Sequence, residues 1–269
     1  MKKRAWFWSF PALCFLTIFF IAPLFFIFIE SFQAEKTWGF DNYINVFSQP
    51  VFTTALLRTL KISTIVTFLA ALLAYPAASV IVKSKRRNLL MSLIILPLMT
   101  NAVARTYAWL VIMGRHGLIN SVLLSLGDTR NPVQILYTEP AVIIGLLQLF
   151  LPFMVLSLVS ALENMPADVE EAAHSLGANK LQTFWRVVFP LSREGLVFGG
   201  TLVFTGSTTA YVTPAMLGGT KLLMLSTLLQ QKSLVLLQWS SATVIAVIMV
   251  IMIIFINQVF KGRRLEETS

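Results

Sequence analysis

Six long apolar runs constrain the fold of this chain more than any other feature of its sequence. Each run is long enough to cross the hydrocarbon core of a bilayer, which takes about 20 apolar residues in a helix. Arg105 is the one charged residue inside them. The runs cover residues 10–29, 62–82, 89–113, 141–162, 196–217 and 242–260. We therefore predict an all-α integral membrane protein with six transmembrane helices in a single domain, residues 1–269.

The composition agrees with this prediction. Hydrophobic residues make up 57% of the chain and charged residues 12%, whereas soluble domains use roughly 45–50% and about 25%. The single cysteine, Cys14, lies inside the first run, so an intrachain disulfide is impossible.

The distribution of basic residues predicts the orientation of the chain. Lysine and arginine favour cytoplasmic loops, and most of the 21 lie in the terminal segments and in the loops after the second, fourth and sixth runs. Both termini and the loop at 163–193 are therefore expected in the cytoplasm. The formal net charge of +9 follows from this topology and from contact with anionic lipid. No basic soluble face suggests nucleic-acid binding.

The inner loop at 163–193 has the pattern of two short helices joined by a glycine. Gly177 can end the first helix in the left-handed conformation, and Asn179 can cap the second. Pro190 cannot continue a regular helix and disfavours helical geometry before it, so the second helix is expected to end at Phe189. The loop is thus predicted to form a helical hairpin.

Apolar side chains in this hairpin leave two interpretations open. Ala172 and Ala173 form a bare strip against which another surface can pack closely. The larger apolar side chains are Leu176, Leu181, Phe184 and Trp185. The hairpin either docks on a partner protein, or it is a solvated linker whose apolar side rests on the chain's own helix ends.

The spacing of residues in the hairpin carries a resemblance to a known family. Glu171-Ala172-Ala173 is followed by three residues, Gly177, nine residues and the sequence VVFP at 187–190. This pattern resembles the EAA signature of permease subunits of bacterial binding-protein-dependent ABC importers, with conservative changes at its end. RTYAW at 105–109 and YVTPAMLGG at 211–219 look like the spermidine/putrescine branch. The resemblance covers roughly residues 8–262.

The resemblance implies a type I ABC importer permease (MetI-like) fold in the bacterial inner membrane. It also implies that the hairpin is a coupling helix, which inserts into a cytoplasmic ATP-binding subunit. The residues expected to carry this contact are Glu171, Ala172, Ala173, Leu176, Gly177 and Pro190. The implied partners are two such ATP-binding subunits, a second permease expected to be a paralogue, and a periplasmic substrate-binding protein.

Nucleotide chemistry is expected in the partner rather than in this chain. The sequence contains no G-x-x-x-x-G-K-[ST] phosphate-binding loop, so ATP is expected to bind the ATP-binding subunit. This chain is predicted to be a non-catalytic membrane subunit that holds no metal and no cofactor.

Five residues in the third and fifth runs are candidates for the solute path. They are Arg105, Tyr107, Trp109, Thr208 and Tyr211. Arg105 is a charge within a membrane run, which usually marks function, although its side chain can instead extend to outer headgroups or cap a carbonyl. Tyr107 and Trp109 point to different faces of a helix, so both cannot line one path. Thr208 belongs to a stretch of small and hydroxylated residues that equally suits a tight interface with the second permease.

Two further segments are expected to have irregular backbone. Pro97 and Asn101 should break the third run near its centre, which either exposes carbonyl groups to a water-filled cavity or only kinks the helix. The last outer loop, 218–240, contains LLMLSTLLQQ and is apolar enough to form a half-buried or re-entrant helix.

The expected solute is a polyamine, and the charge pattern keeps other solutes open. A polycation should meet acidic or aromatic groups on its way, but no acidic residue lies inside a run. Glu30 and Glu139 only flank outer ends. Amino-acid derivatives, phosphonates and ferric iron therefore remain alternatives. An ion-coupled secondary transporter is less favoured because it usually needs intramembrane carboxylates, and no paired nucleophile and base suggests a membrane enzyme.

Overall fold

Helices make up nearly all of the described chain, as the apolar runs predicted. The computed structural model describes residues 14–34, 37–126, 131–166 and 168–265, with side chains up to residue 258. The helical segments are Thr17–Ile21, Ala22–Ser31, Asp41–Phe47, Pro50–Lys83, Arg87–Ile95, Leu96–Met99, Ala102–Met113, Leu118–Ser125, Glu139–Glu163, Asp168–Ser175, Lys180–Thr183, Phe184–Val188, Phe189–Leu191, Arg193–Thr209, Val212–Gly218, Leu225–Gln230, Gln231–Val235 and Trp239–Leu265. A small departure from the all-α prediction is an antiparallel pair of two-residue strands, Gln33–Ala34 and Thr37–Trp38.

The number of membrane-length helices agrees with the predicted fold class. Within the described residues, five helices are long and apolar enough to cross a membrane. They are Cys14–Ser31, Pro50–Lys83, Ala102–Ser125, Glu139–Glu163 and Trp239–Gln258. The pair Lys180–Leu191 and Arg193–Thr209, bent by 67°, gives a sixth when it is counted as one span. Residues 10–13 of the first predicted run, and both chain termini, lie outside the described residues.

The third run, 89–113, is broken near its centre, as Pro97 and Asn101 predicted. A short 3-10 turn, Leu96–Met99, contains the proline, and the next helix, Ala102–Met113, begins after Asn101. The Asn101 side chain accepts hydrogen bonds from two backbone N–H groups of the new helix, at 2.8 and 3.3 Å. The amide thus caps a helix that starts within an apolar run.

The prediction of one continuous helix at 196–217 is wrong. The first helix ends at Thr209, and a second, Val212–Gly218, follows it. Between them Ala210 has ψ of 127°, which turns its carbonyl away from the helix axis. That carbonyl accepts a 2.6 Å hydrogen bond from the Ser226 hydroxyl. The break is therefore stabilised by a residue that lies beyond the run and cannot be read from the run's own apolar pattern.

Contacts divide the chain into two units. The first contains the described part of Met1–Thr54 together with Leu228–Ile253, and the second contains Ala55–Thr227 with the described part of Ile254–Ser269. In the first unit, the Tyr43 and Ser31 hydroxyls share a 2.8 Å hydrogen bond, which ties the helix Asp41–Phe47 to the end of the first span. The single-domain prediction stays a prediction.

The core of the second unit lies along one face of Pro50–Lys83. Ala70, Ala74 and Ala78 are fully buried there at a spacing of four residues, the spacing that keeps side chains on one helix face. They belong to the same cluster of buried residues as Leu146 of the helix Glu139–Glu163. Small residues at these positions let neighbouring helix backbones approach closely.

The segment 218–240 contains the expected buried helix. Leu225–Gln230 is helical, and its first residues are buried. Its first residue and a residue just before it are anchored to the second span within the second unit. The Leu225 N–H donates to the Thr59 hydroxyl at 2.9 Å, and the Arg58 guanidinium donates to the Leu223 carbonyl at 3.1 Å.

Candidate coupling hairpin and solute path

The first arm of the hairpin, Asp168–Ser175, ends in the left-handed turn that Gly177 predicted. Gly177 has φ of +84°. Its N–H donates to the His174 carbonyl at 2.9 Å, and the Ala178 N–H donates to the Ala173 carbonyl at 3.0 Å. These two bonds form a Schellman motif, which satisfies carbonyl groups left free at the helix end.

The second arm begins at the predicted cap. The Asn179 side chain accepts a 2.8 Å hydrogen bond from the Gln182 N–H, and the Gln182 side chain accepts a 3.0 Å bond from the Asn179 N–H. This reciprocal pair is a capping box. One residue, Ala178, thus separates the glycine that closes the first arm from the residue that starts the second.

The prediction that the second arm ends at Phe189 is wrong. A π-helical turn, Phe184–Val188, follows Lys180–Thr183, and a further helical turn, Phe189–Leu191, carries the arm through Pro190. A proline ring clashes with the carbonyl four residues earlier in a regular α-helix. Because the π-turn widens the helix just before Pro190, the arm continues to Leu191, and the chain then bends by 67° into the fifth span.

Three of the four larger apolar side chains on the hairpin are solvent-exposed. Leu176 is 88% exposed, Leu181 68% and Trp185 57%. We call these three side chains the hairpin tip surface. Phe184 instead packs against Tyr75 of the second span, with ring centroids 5.4 Å apart. The chain's own helix ends therefore cover Phe184 and leave the tip surface uncovered, which favours the docking interpretation.

The other motif residues lie at or beside this surface. Glu171 and Ala172 are exposed, Ala173 is half-buried, and Pro190 is exposed on the second arm. A Cβ atom added at Gly177 would meet nothing within 4 Å. The structure thus brings the predicted coupling residues onto a projecting hairpin with open space around its turn.

Ion pairs anchor the base of the hairpin. Lys83 at the end of the second span lies 2.6 Å from the Glu170 carboxylate. Arg87, two residues before the third run, makes a two-pronged contact with Glu163 through Nε and through Nη2, the latter at 2.8 Å. The hydrogen bond to Glu163, together with the charge of that carboxylate, raises the pKa of Arg87 above the ordinary value.

Sequence reasoning missed Tyr75 and Ser192. The Tyr75 and Ser192 hydroxyls lie 2.9 Å apart, although the two residues belong to different spans. Ser192 is fully buried at the bend between the second arm and the fifth span. A lone tyrosine in an apolar run was the one available signal, and it does not indicate which residue it contacts.

Arg105 has two buried polar atoms with no hydrogen-bond partner among the described residues, Nε and Nη1. Tyr107 is 59% exposed, whereas Trp109 is partly buried against the core. The two aromatic residues therefore occupy different environments, as their spacing predicted. Tyr107 is the more exposed of the two, and contact of either residue with a solute stays a prediction.

Thr208 is enclosed, which argues against the predicted contact with a solute. Its side chain is fully buried, and its hydroxyl donates to the Ser63 hydroxyl at 3.1 Å. The structure thus assigns Thr208 to packing between the second and fifth spans. Tyr211 is 41% exposed and lies at the break in the fifth span, immediately before the helix Val212–Gly218.

Arg105, Tyr107 and Tyr211 lie on or directly beside two half-helices that pack together. The helix Ala102–Met113, which carries Arg105 and Tyr107, contacts the helix Val212–Gly218, which follows Tyr211. The buried hydroxyls of Thr106 and Thr213 are 3.0 Å apart at this contact. Each half-helix begins directly after a break in an apolar run. Because the two half-helices contact each other, the breaks in the third and fifth runs lie in the same part of the second unit.

Comparisons with known proteins identify similar sequences. Residues 66–263 match the model of the family described as "Binding-protein-dependent transport system inner membrane component". The chain is 35% identical over 228 residues to the spermidine/putrescine transport system permease protein PotB of Haemophilus influenzae, a match that covers 84% of this chain and 79% of that protein. It is 35% identical over 207 residues to the Escherichia coli protein of the same name, a match that covers 76% of this chain and 75% of that protein. The molybdenum transport system permease protein ModB of Mycobacterium tuberculosis is 36% identical over 160 residues, 59% of each chain.

Solved structures share the fold at lower sequence identity. A chain of the bacterial alginate ABC transporter, solved with an alginate pentasaccharide-bound periplasmic protein, superposes with a TM-score of 0.84 at 17% identity, and the match covers 99% of this chain and 96% of that one. A chain of the MetNI methionine ABC transporter gives a TM-score of 0.60 at 17% identity, and the match covers 82% of this chain and 99% of that one. These similarities establish the fold of an ABC transporter membrane subunit.

Proposed function

Because this chain belongs to the family of binding-protein-dependent transport system inner membrane components, we propose that the solute it imports is a polyamine such as spermidine or putrescine. The chain is a multi-pass permease of an ABC importer. The observation that supports the polyamine is the 35% identity to a spermidine/putrescine permease over 84% of the chain. The alternative is another small solute, and the similarity to a molybdenum permease over 59% of this chain is the observation in favour of it.

The hairpin is the element that we propose couples this permease to ATP hydrolysis. Its tip surface is uncovered, and a Schellman motif and a capping box close the turn between its arms. An element that transmits force has to resist bending, and these bonds fix the turn on both sides of Ala178. From the excess of basic residues we propose that the hairpin and both termini lie in the cytoplasm, where an ATP-binding subunit can receive Leu176, Gly177 and the EAA residues.

ATP binding and hydrolysis belong, in this proposal, to two cytoplasmic subunits and not to the permease. Closure of these subunits around ATP draws the hairpins of two permeases together and exchanges an inward-open for an outward-open state. A periplasmic binding protein delivers the solute. The alginate transporter solved with a periplasmic protein is consistent with such an assembly.

The second permease is proposed to complete the surroundings of Arg105. Two of the Arg105 nitrogen atoms are buried and unpaired among the described residues, and a buried polar group without a partner costs about 1–3 kcal/mol, or more when it is charged. Two of the carboxylates beside span ends already have cationic partners, since Glu139 pairs with Lys61 at 2.6 Å and Glu163 with Arg87. An acceptor from a paralogous permease chain would satisfy Arg105.

Tyr107 and Tyr211 are the residues that we propose contact the solute. Both rings are exposed near the two breaks, and an aromatic face attracts an ammonium group by about 0.5–2 kcal/mol. Such rings resolve the conflict between a cationic solute and the absence of acidic residues inside the runs.

Uptake into proteoliposomes tests this function. The complete importer, with its ATP-binding subunits and binding protein, is reconstituted and supplied with radiolabelled putrescine. We expect accumulation that requires both ATP and the binding protein, and that unlabelled spermidine reduces. Labelled molybdate and a labelled phosphonate serve as comparisons. Import of either comparison solute with no import of putrescine would contradict the proposed solute, and uptake that persists without the ATP-binding subunits would contradict the mechanism.

Substitution of the two tyrosines tests the solute path. We expect Tyr107→Leu and Tyr211→Leu each to raise the putrescine concentration for half-maximal uptake about threefold to tenfold, because each removes one cation–π contact. Phe68→Leu is the matched control, since Phe68 is an exposed aromatic residue of the second span outside the proposed path. Equal effects of all three substitutions would refute the assignment.

A further inference from the structure

The bend at Ser192 is held by a hydrogen bond from the second span. The Ser192 hydroxyl donates to the Val188 carbonyl at 2.7 Å and lies 2.9 Å from the Tyr75 hydroxyl. A serine hydroxyl has one proton, so the bond between the two hydroxyls is donated by Tyr75. Both Tyr75 and Ser192 are buried, and a hydrogen bond between buried groups is screened little by water.

The Tyr75 ring also contacts both ends of the π-helical turn. It meets Phe184 edge to face at a centroid distance of 5.4 Å and stacks on Phe189 at 6.1 Å. One side chain of the second span therefore touches the start of the π-turn, the residue after its end, and the bend that follows. A π-turn is a locally irregular stretch of helix, and Tyr75 lies against the stretch that would deform first under load.

The fourth span holds the other side of the bend. The Ser157 hydroxyl donates to the Gly195 carbonyl at 2.6 Å, three residues after Ser192. A Cβ atom added at Gly195 would lie 2.7 Å from the Ser157 carbonyl oxygen and would overlap Ala161. The fifth span therefore begins in backbone contact with the fourth, while the tip surface of the hairpin remains free.

We propose that Tyr75 is a positioning residue for coupling. It keeps the bend at Ser192 at a fixed angle, so that a force on the hairpin tip moves the second and fifth spans instead of flexing the π-turn. The chemical basis is one donated hydrogen bond and two ring contacts on the segment between tip and span. This inference rests on the proposed coupling function of the hairpin.

The test compares how much ATP is hydrolysed per putrescine imported. Tyr75→Phe keeps the ring contacts and removes only the hydroxyl donor, and Ser192 retains its bond to Val188. We expect the number of ATP molecules hydrolysed per putrescine to rise about fivefold in the reconstituted importer, since a net hydrogen bond of ordinary strength changes an equilibrium by about that factor. Binding of the ATP-binding subunits should stay within twofold of the unmodified chain.

Two further variants separate this effect from general loss of stability. Ser192→Ala removes the bond to Tyr75 together with the bond to the Val188 carbonyl and should raise the same ratio. Adding Tyr75→Phe to Ser192→Ala should raise the ratio no further, because the bond between the two hydroxyls is already absent. Tyr43→Phe is the matched control. It removes the 2.8 Å hydrogen bond between Tyr43 and Ser31, which is also a bond between a tyrosine and a serine hydroxyl but lies in the first unit. The number of ATP molecules hydrolysed per putrescine should stay unchanged in this variant.

Each outcome decides between the inference and its alternatives. A ratio for Tyr75→Phe equal to that of Tyr43→Phe would overturn the role of Tyr75 and leave the coupling function of the hairpin intact. Loss of ATP-binding subunits from the Tyr75→Phe complex would also overturn it, because the hydroxyl would then support docking or folding and not transmission. If the unmodified importer hydrolyses ATP without importing putrescine, the proposed solute fails, and the same ratio is then measured with the solute that the importer does carry, for which equal values in Tyr75→Phe and Tyr43→Phe would overturn the role of Tyr75.

Discussion

Substitution of Gly177 gives a graded test of the coupling hairpin. The glycine has φ of +84°, and an added Cβ would meet nothing within 4 Å, so the cost of a side chain is conformational and not steric. An L-residue in the left-handed region costs roughly 1–2 kcal/mol, and asparagine tolerates this region best. Proline cannot adopt this φ and removes the N–H that donates to His174. The expected order of function is therefore glycine, asparagine, alanine and proline.

The population of the closed hairpin sets the size of the effect. A cost of about 1–2 kcal/mol lowers the ratio of closed to open hairpin about 5- to 30-fold, so Gly177→Ala should weaken binding of the ATP-binding subunit by up to that factor. The melting temperature of the permease should change little, because Gly177 is exposed and a Cβ added there would meet nothing within 4 Å. Gly177→Asn is the matched control, since it adds a side chain at lower conformational cost.

Titration of the purified permease variants with the ATP-binding subunit measures this order, and coupled putrescine uptake measures its consequence. The reasoning is refuted if Gly177→Pro binds as tightly as Gly177→Asn, because the left-handed turn would then be dispensable. A loss well beyond 30-fold for Gly177→Ala would show that the partner fills the open space beside the turn.

Three other substitutions test separate parts of the structure. Asn179→Ala removes the acceptor of the capping box and should weaken binding of the ATP-binding subunit by about 1 kcal/mol. Asn179→Asp keeps an acceptor and should bind as the unmodified chain does. Equal affinities of the two variants for the ATP-binding subunit would contradict a role for the cap. Thr208→Val leaves the buried Ser63 hydroxyl without the hydrogen bond that Thr208 donates. It should lower the stability of the permease by about 1–3 kcal/mol, measured as a lower melting temperature, and should leave uptake per folded molecule unchanged. A selective loss of uptake would return Thr208 to the solute path. Gly195→Ala forces a Cβ against Ser157 and should destabilise the chain by about 1–3 kcal/mol, seen in the same melting assay, and unchanged melting would mean that the two spans separate easily.

Features that depend on neighbouring residues were predictable from the sequence. Gly177 and Asn179 set their own backbone geometry, and their bonds reach no further than five positions along the chain. The break at Asn101 has the same origin, since the amide caps the helix that directly follows it. Apolar run length similarly predicted the number of membrane-length helices, because bilayer thickness fixes the length of a span. The bounds of the third run were not predicted, since the membrane-length helix there is Ala102–Ser125 and residues 87–99 form a shorter apolar helix.

Features that depend on distant contacts were missed. The break at Ala210 is stabilised by Ser226, sixteen residues later, and Thr208 bonds to Ser63, 145 positions away. No local pattern distinguishes a hydroxyl that faces a solute from one that faces another helix. The prediction that the second arm ends before Pro190 failed for a different reason. The rule for proline assumes a regular α-helix, and no sign of the π-turn that precedes Pro190 was visible in the sequence.

The local character of the hairpin has a consequence for how the protein is made. Because the bonds that close its turn join residues at most five positions apart, they can form within microseconds, long before the ribosome has added the remaining residues 192–269. At about 5–20 residues per second, that synthesis takes roughly 4–16 seconds. The nascent chain therefore presents a finished hairpin while its last two spans are still being translated, and assembly with a soluble subunit can begin during translation.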